Sequence, residues 1–274
     1  MKNDTELPAC PISGAALTPV FTATILQKHT VQYFHCPVSG LLKTEAPHWL
    51  QEAYSSAISS TDTGLVKRNI DTARALELLI DRLKLANGKI LDMAGGFGLL
   101  TRLLRDAGFD AYTTDPYCKN NHAVGFEPVD GFGADLLLAF EVLEHLEDPV
   151  QFLSDAFARY HCRTLIFSTV TYGPEIPPMD WWYYAFETGQ HISFYQPRTL
   201  DMLATRLGCQ YVRLRSGLHL FTDQKITKYF QVSERNGALA RLHALAMRRG
   251  HSRRSRTVED HLEMKRKLES ERAV

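Results

Sequence analysis

The stretch Ile90-Leu91-Asp92-Met93-Ala94-Gly95-Gly96-Phe97-Gly98 decides the fold. The short apolar run Lys89–Met93 reads as a buried strand, Ala94–Gly98 as a glycine turn, and Leu99–Ala107 as an amphipathic helix. A strand that runs through glycines into a helix brings backbone N–H groups and a helix N-terminus close to a ligand. Glycine is needed there because a side chain would block that approach and because φ can turn positive. Asp115 ends the next strand, Ala111–Thr114, 23 residues after Asp92. A carboxylate at that place accepts both hydroxyls of a ribose. Taken singly, the glycines suit any tight βα turn, and Asp115-Pro116 suits a helix N-cap with Pro at N1. Jointly they point to a ligand.

Outward from the turn, short apolar strands keep alternating with helices. Ala134–Phe140 is apolar after Asp135 and is followed by a helix through roughly residue 160, and Thr164–Val170 is a further buried strand. Before the turn, Ile70, Ala73, Leu76, Leu79, Ile80 and Leu83 recur at helical spacing. Such alternation means βαβ units and a parallel sheet covered on both faces. Four regions follow: a small β/turn module over 1–50, a linker and lead-in helix over 51–88, a ligand-binding α/β domain over 89–225, and a basic helical tail over 226–274. The α/β domain carries a Pro- and aromatic-rich insertion near 171–196, then a helix from Pro197 and strand-like segments at 210–214 and 217–222.

The chain has 274 residues, 31 Lys+Arg against 31 Asp+Glu, 45% hydrophobic residues and 23% charged ones. That balance excludes wholesale disorder and a whole-chain electrostatic grip on nucleic acid. No run reaches the roughly 18 apolar residues of a membrane helix, and the polar start MKNDTELPAC lacks the apolar region of a signal peptide. With five scattered cysteines, reduced thiols and a cytoplasmic setting are expected. Charge is uneven, with 6 basic against 12 acidic residues over 85–170 and 10 against 5 over 241–274. An acidic cofactor half suits a cationic ligand. Any anionic partner should meet the tail, although such runs are most often solvated helix faces.

Two ligand classes share the strand–glycine–helix geometry. A nicotinamide site wants G-x-G-x-x-G, and counting from Gly96 the third small position is Thr101. The carboxylate of Asp92 also sits badly beside a pyrophosphate and well beside an amino group. Asp-x-small-x-Gly-x-Gly resembles the pattern of class I S-adenosylmethionine (SAM) methyltransferases. The run Glu141-Val142-Leu143-Glu144-His145-Leu146 resembles a signature of the ubiquinone-biosynthesis-like branch, and His191-Ile192-Ser193-Phe194-Tyr195-Gln196-Pro197 resembles a stretch of its bacterial members. The one departure is Ala94, where Gly is commonest.

The resemblance implies a Rossmann-like, seven-stranded, mostly parallel sheet whose last strand is antiparallel. It implies that Asp92, Gly96 and Gly98 line the amino-acid part of SAM, with Ala94 and Gly95 in the same turn. Asp115 would hold the ribose, and Phe140–Glu141 would lie near the methyl donor. Tyr54-Ser55-Ser56-Ala57 and Asp62-Thr63-Gly64 resemble a segment that closes over the cofactor, and read more simply as a polar linker. Methyl transfer from a sulfonium is an in-line displacement governed by positioning, and a hydroxyl acceptor also needs a base. His191 and Glu141 are the acceptor-side candidates, with His145 beside them; His191 reads equally as an anchor of the insertion, and His145 better as a helix-start feature. Trp181, Trp182, Tyr183 and Tyr184 either stack on an acceptor or pack a lid or interface.

Cys10-Pro11-Ile12-Ser13-Gly14 recurs as Cys36-Pro37-Val38-Ser39-Gly40. A structural zinc ribbon takes four ligands from two such turns, and serine stands at the second position of each. The reading is a degenerate zinc-ribbon-like module, and no metal is expected. The function expected is SAM-dependent methylation of a small-molecule acceptor, first an oxygen of a carbohydrate or secondary metabolite. The rivals are a nicotinamide oxidoreductase and a SAM-binding protein without turnover.

Overall fold

The computed structural model describes residues 7–54, 63–215, 217–227, 230, 237–238, 242, 246 and 253–271. Within the expected cofactor-closing segment, residues 55–57 and 62 lie outside these, as do Arg248, Arg249 and much of the expected tail. The chain divides into two compact units whose segments interleave, 60–139, 159–165 and 225–274 in one, 1–59, 140–158 and 166–224 in the other.

The unit holding the glycine turn is built on β4 (Lys89–Asp92), which pairs in parallel with β5 (Asp110–Thr113) on one side and β6 (Leu136–Ala139) on the other. Every residue of β6 is buried, as a strand covered on both faces requires. The amphipathic helices α2 (Leu65–Arg82) and α3 (Leu99–Asp106) bury Leu76, Leu79 and Ile80, and Leu100 and Leu104.

The other unit contains the antiparallel sheet β1 (Thr18–Ile25), β2 (His29–His35), β3 (Leu42–Thr44) and β8 (Ser193–Phe194), in that order. The N-terminal strands β1 to β3 therefore share a sheet with residues 193–194, through the pair Leu42 and Phe194. The same unit carries α1 (Leu50–Ala53), most of α4 (Pro149–Tyr160) and of β7 (Leu165–Ser168), α5 (Pro197–Arg206), β9 (Gln210–Arg213) and β10 (Leu218–Thr222).

The strands of the first unit run β5-β4-β6, and in the other unit β10 is antiparallel to β9. Among the described residues the expected α/β domain has six strands, β4 to β7 with β9 and β10, where the resemblance implies seven. The difference falls between β5 and β6. Residues 114–135 hold Pro116, Gly125, Pro128, Gly131 and Gly133 and form turns without a helix or strand. Such punctuation cannot sustain a crossover helix and a strand.

Two local expectations are corrected. The helix after β6 does not begin at its end: a 3-10 turn, Leu143–His145, intervenes, and α4 starts at Pro149. Asp148 caps it, its Oδ1 accepting the amides of Val150 and Gln151 at 3.0 Å each, with Pro149 at N1. Asp115-Pro116 opens no helix, and the Asp115 carboxylate closes an Asx turn instead.

Candidate active site

At the turn, Gly96 has φ +55° and Gly98 φ +81°, left-handed values that a side chain resists. Gly95 donates to the Thr114 carbonyl at 3.3 Å, Gly98 to the Gly95 carbonyl at 2.9 Å, and Gly96 to Asp115 Oδ2 at 3.0 Å. Asp115 Oδ1 accepts the amides of Tyr117 and Cys118, both at 2.8 Å. The two acids singled out by spacing are thus brought to one turn.

Asp92 is 2% exposed, and among the described residues its Oδ1 has no hydrogen-bond partner. Burial, then the Asp115 charge, push its carboxyl up to about 7, against a hydrogen bond from the Ala94 backbone. A buried carboxyl oxygen without a donor is costly, and a ligand amine would supply one. Among the described residues, no atom stands where a Cβ of Gly96 would lie. An orphaned acid beside open backbone fits the amino-acid end of SAM. Asn120 was not legible as a turn residue: it fills the space beside Gly98, accepts the Ala123 amide at 2.9 Å and donates to the Ala123 carbonyl at 2.6 Å. No spacing rule marks it.

In the other unit, the two remaining motifs are tied edge to edge. Ile192 donates its amide to the Glu144 carbonyl at 2.8 Å, Ser193 Oγ to the Leu146 carbonyl at 2.7 Å, and Tyr195 Oη to the Leu143 carbonyl at 2.7 Å. His145 Nδ1 donates to the Gln190 carbonyl at 3.0 Å, and His191 Nδ1 to the Tyr183 carbonyl at 2.7 Å. The two imidazoles meet edge to face, 4.9 Å apart. Burial holds His145 down to about 4, aided by His191 and opposed by the Gln190 carbonyl and Glu141.

Glu141 is exposed and holds φ +53°, a left-handed value for a non-glycine residue at the end of a strand. Such backbone strain clusters at functional sites. Its amide donates to Ser168 Oγ at 3.0 Å, and that hydroxyl donates back to Glu141 Oε1 at 2.5 Å. Phe140 is half-buried. Glu144, passed over as a site residue, is fully buried, and burial raises its carboxyl.

The aromatic insertion separates by burial. Tyr183 and Tyr184 are each 1% exposed and belong to a core with Ile25, Val31, Tyr33 and Trp49. Their hydroxyls are engaged, Tyr183 accepting the Val170 amide at 3.1 Å and Tyr184 donating to the Pro177 carbonyl at 2.9 Å. Rings already packed offer no face to an acceptor, so the acceptor-stacking expectation fails for these two. Trp181 is half-buried against the same core, and Trp182 is 72% exposed.

The serines of the N-terminal repeat face the opposite cysteines, with Cys10 Sγ 3.3 Å from Ser39 Oγ and Ser13 Oγ 3.2 Å from Cys36 Sγ. Burial pushes the Cys36 thiol up, but hydrogen bonds with Ser13, Ser39 and Cys10 outweigh it and leave the thiol at about 7.

A left-handed glycine turn after a buried parallel strand, with an orphaned acid inside it and a second acid after the next strand, defines a Rossmann-like binder of an adenosine-type ligand. Residues 67–214, just over half of the chain, match a family model described as Methyltransferase domain, and the chain belongs to that family. A comparison with curated proteins finds no match.

Among solved structures, the chain is similar to CalO1, a methyltransferase in calicheamicin biosynthesis in its SAH-bound form, at 15% identity over 64% of this chain and 61% of that one, TM-score 0.40. It is similar to NcsB1, an O-methyltransferase from neocarzinostatin biosynthesis in complex with SAH and 1,4-dihydroxy-2-naphthoic acid, at 15% identity, 65% and 66% coverage, TM-score 0.38. It is similar to magnesium protoporphyrin IX methyltransferase (ChlM) from Synechocystis PCC 6803 with bound SAM, at 14% identity, 64% and 92% coverage, TM-score 0.38. The chain spans about three-fifths of the length of the first of these. Likeness at this level carries no argument about substrate.

Proposed function

We propose that this protein transfers a methyl group from SAM to an oxygen of a small-molecule acceptor, a carbohydrate or a secondary metabolite. The observation that carries the reading is the buried, unpartnered Asp92 Oδ1 at a left-handed glycine turn, in a chain of the methyltransferase-domain family. When bound, SAM supplies an electrophilic methyl on a sulfonium. Asp92 binds the amino group of its amino-acid end, Gly96 and Gly98 keep the approach open with Ala94 and Gly95, and Asp115 takes the ribose hydroxyls. Phe140 belongs to the donor side. On the acceptor side, Glu141 and His191 are the proposed pair that orients a hydroxyl and accepts its proton. His145 supports His191, and Trp182 is the exposed ring available to an acceptor.

The ubiquinone-biosynthesis-like branch is supported by the Glu141–Leu146 and His191–Pro197 motifs. The paired N-terminal turns support a zinc-ribbon-like ancestry without its full ligand set. Five free cysteines among the described residues support a reducing, cytoplasmic setting. Among the described residues no helix is long and apolar enough to cross a membrane.

Calorimetric titration with SAM, SAH and NAD tests the donor: SAM and SAH should bind with one site per chain, and Asp115→Ala should weaken both. Binding of NAD alone would overturn the reading. A screen of hydroxylated acceptors for SAH release then tests turnover. SAM binding without SAH release from any acceptor would favour a SAM-binding protein that lacks turnover.

A further inference from the structure

Within the unit that holds β1 to β3, Thr171, Gly173, Pro174, Pro197, Arg198 and Arg213 line an open cleft of about 600 Å3, a volume suited to a small molecule. The charged residues of its wall are both arginines. Among the described residues neither guanidinium is paired with a carboxylate. Arg198 is held from behind by Gln196, which is 3% exposed. Gln196 Nε2 donates to the Gly173 and Pro174 carbonyls at 2.7 and 3.2 Å, and its Oε1 accepts Arg198 Nε at 2.5 Å. That bond leaves the two Nη groups of the planar fork for a ligand. The N-terminal module is shaped around this pair. A Cβ on Gly40 would overlap Gln196 Oε1 and Arg198 Nε, whereas at the matching Gly14 it would meet nothing within 4 Å among the described residues. Tyr172 Oη donates to the Gly40 carbonyl, and Thr199 Oγ1 to the Ser39 carbonyl at 2.7 Å. Burial, and then the Arg198 charge, hold the His35 imidazole below its ordinary value, so that charge is felt locally.

We propose that this cleft binds the phosphate group of a phosphorylated small-molecule acceptor, with Arg198 and Arg213 taking its oxygens. Two guanidinium groups match a phosphate dianion in charge, and their forks fit its oxygens in pairs. A carboxylate answers only one of the two charges. The inference rests on the methyltransferase reading and narrows its acceptor to phosphate esters. Thr171 stands three residues beyond Ser168, whose hydroxyl holds Glu141. Three residues of chain span at most about 11 Å. A phosphate at the arginines therefore leaves the rest of a small acceptor within reach of the strand end that carries Glu141. The sequence reading sent any anionic partner to the basic tail. The cleft takes it instead, and the N-terminal module acquires a bracing role that needs no metal.

The test titrates the full chain with inorganic phosphate by calorimetry, with acetate as the monoanion control. The wild type should take one equivalent of phosphate and bind acetate about tenfold more weakly or worse. Arg198→Gln and Arg213→Gln should each weaken phosphate binding by about tenfold or more, the scale of a lost hydrogen bond to a charged group. Arg254→Gln, on the tail, should bind as the wild type does. Both cleft arginines are exposed, and thermal melts check that their variants fold. Absence of saturable phosphate binding, binding that survives in both cleft variants, or equal binding of acetate would overturn the site. In a screen for SAH release, phosphate esters should exceed the same molecules without phosphate by about tenfold or more in kcat/KM. Equal values for the two would overturn the assignment of the phosphate to the acceptor. SAM titration of the same samples separates the two readings. Retained SAM binding with no phosphate binding would sink only the cleft, and phosphate binding with no SAM binding would sink the methyltransferase reading.

Discussion

Asp92 shows how one buried group couples ligand, pH and stability. Its carboxyl titrates near 7 in the fold, above the unfolded value of about 4. The folded state therefore holds this proton more tightly than the unfolded one. Asp92 should lower stability progressively as pH rises from about 4 to about 7, with no further loss above that. In Asp92→Asn this part of the slope should vanish, read from melting temperature against pH. A ligand ammonium favours the ionised carboxylate, so SAM affinity should strengthen as pH rises through about 7. Asp92→Asn should bind SAM about tenfold or more weakly and without that dependence, since hydrogen bonds to charged groups contribute about 1.5–3 kcal/mol. The glycines separate two kinds of cost. Gly96→Ala meets open space and only a strained φ, and should cost about 1 kcal/mol. Gly98→Ala adds overlap with the Asn120 side chain and should cost more, measured by chemical denaturation.

At the scale of elements, two motifs with no sequence proximity make one edge. Tyr195 Oη is buried and donates to the Leu143 carbonyl. Tyr195→Phe leaves that carbonyl without its donor and should destabilise by about 1–2 kcal/mol. SAM affinity should stay unchanged, which calorimetry on the folded variant would check. The paired N-terminal turns make a second element-scale prediction. Ser13 and Ser39 already face Cys36 and Cys10 within 3.3 Å. The double variant Ser13→Cys, Ser39→Cys should therefore bind zinc through four thiolates and gain melting temperature, because metal binding is folding free energy. No zinc in the purified double variant, by elemental analysis, would count against that geometry.

Across the unit that carries the glycine turn, the last described helix, α6 (Thr257–Glu271), is an anchored part of the fold. Its Asp260 receives the fully buried Arg105 guanidinium through two bonds, at 2.6 and 2.8 Å. Arg253 pairs with Asp81 and lies over the Phe109 ring, and Arg256 reaches Asp110 at 3.5 Å. The expectation of a solvated basic face is corrected for these residues, whose charges answer acids of the same unit. Asp260→Ala leaves Arg105 buried without its main partner and should cost about 3 kcal/mol or more. Burial alone would raise the Asp260 carboxyl, but Arg105 and Arg102 outweigh it and hold it below the usual range. A depressed carboxyl stabilises the fold above its unfolded value of about 4 and loses that contribution as pH falls through its folded value. Acid should therefore weaken the Arg105 anchorage, visible as faster amide exchange in α6 below about pH 4.

The linear chain determined the parallel-strand core, the glycine turn and the two acids beside it. Buried strands must be continuous apolar runs and left-handed turns must be glycine, so these constraints are local and leave marks in the sequence. Tertiary structure decided the rest, because it depends on which segments pack together. Only packing showed that Tyr183 and Tyr184 are core, and that Arg253 and Arg256 answer Asp81 and Asp110. The same holds for Glu144, a residue ordinary in its own segment that becomes a fully buried carboxylate beside two imidazoles. Its partner His191 lies 47 residues away. No periodicity records a distance of that kind, since it is set by burial and backbone pairing across the fold.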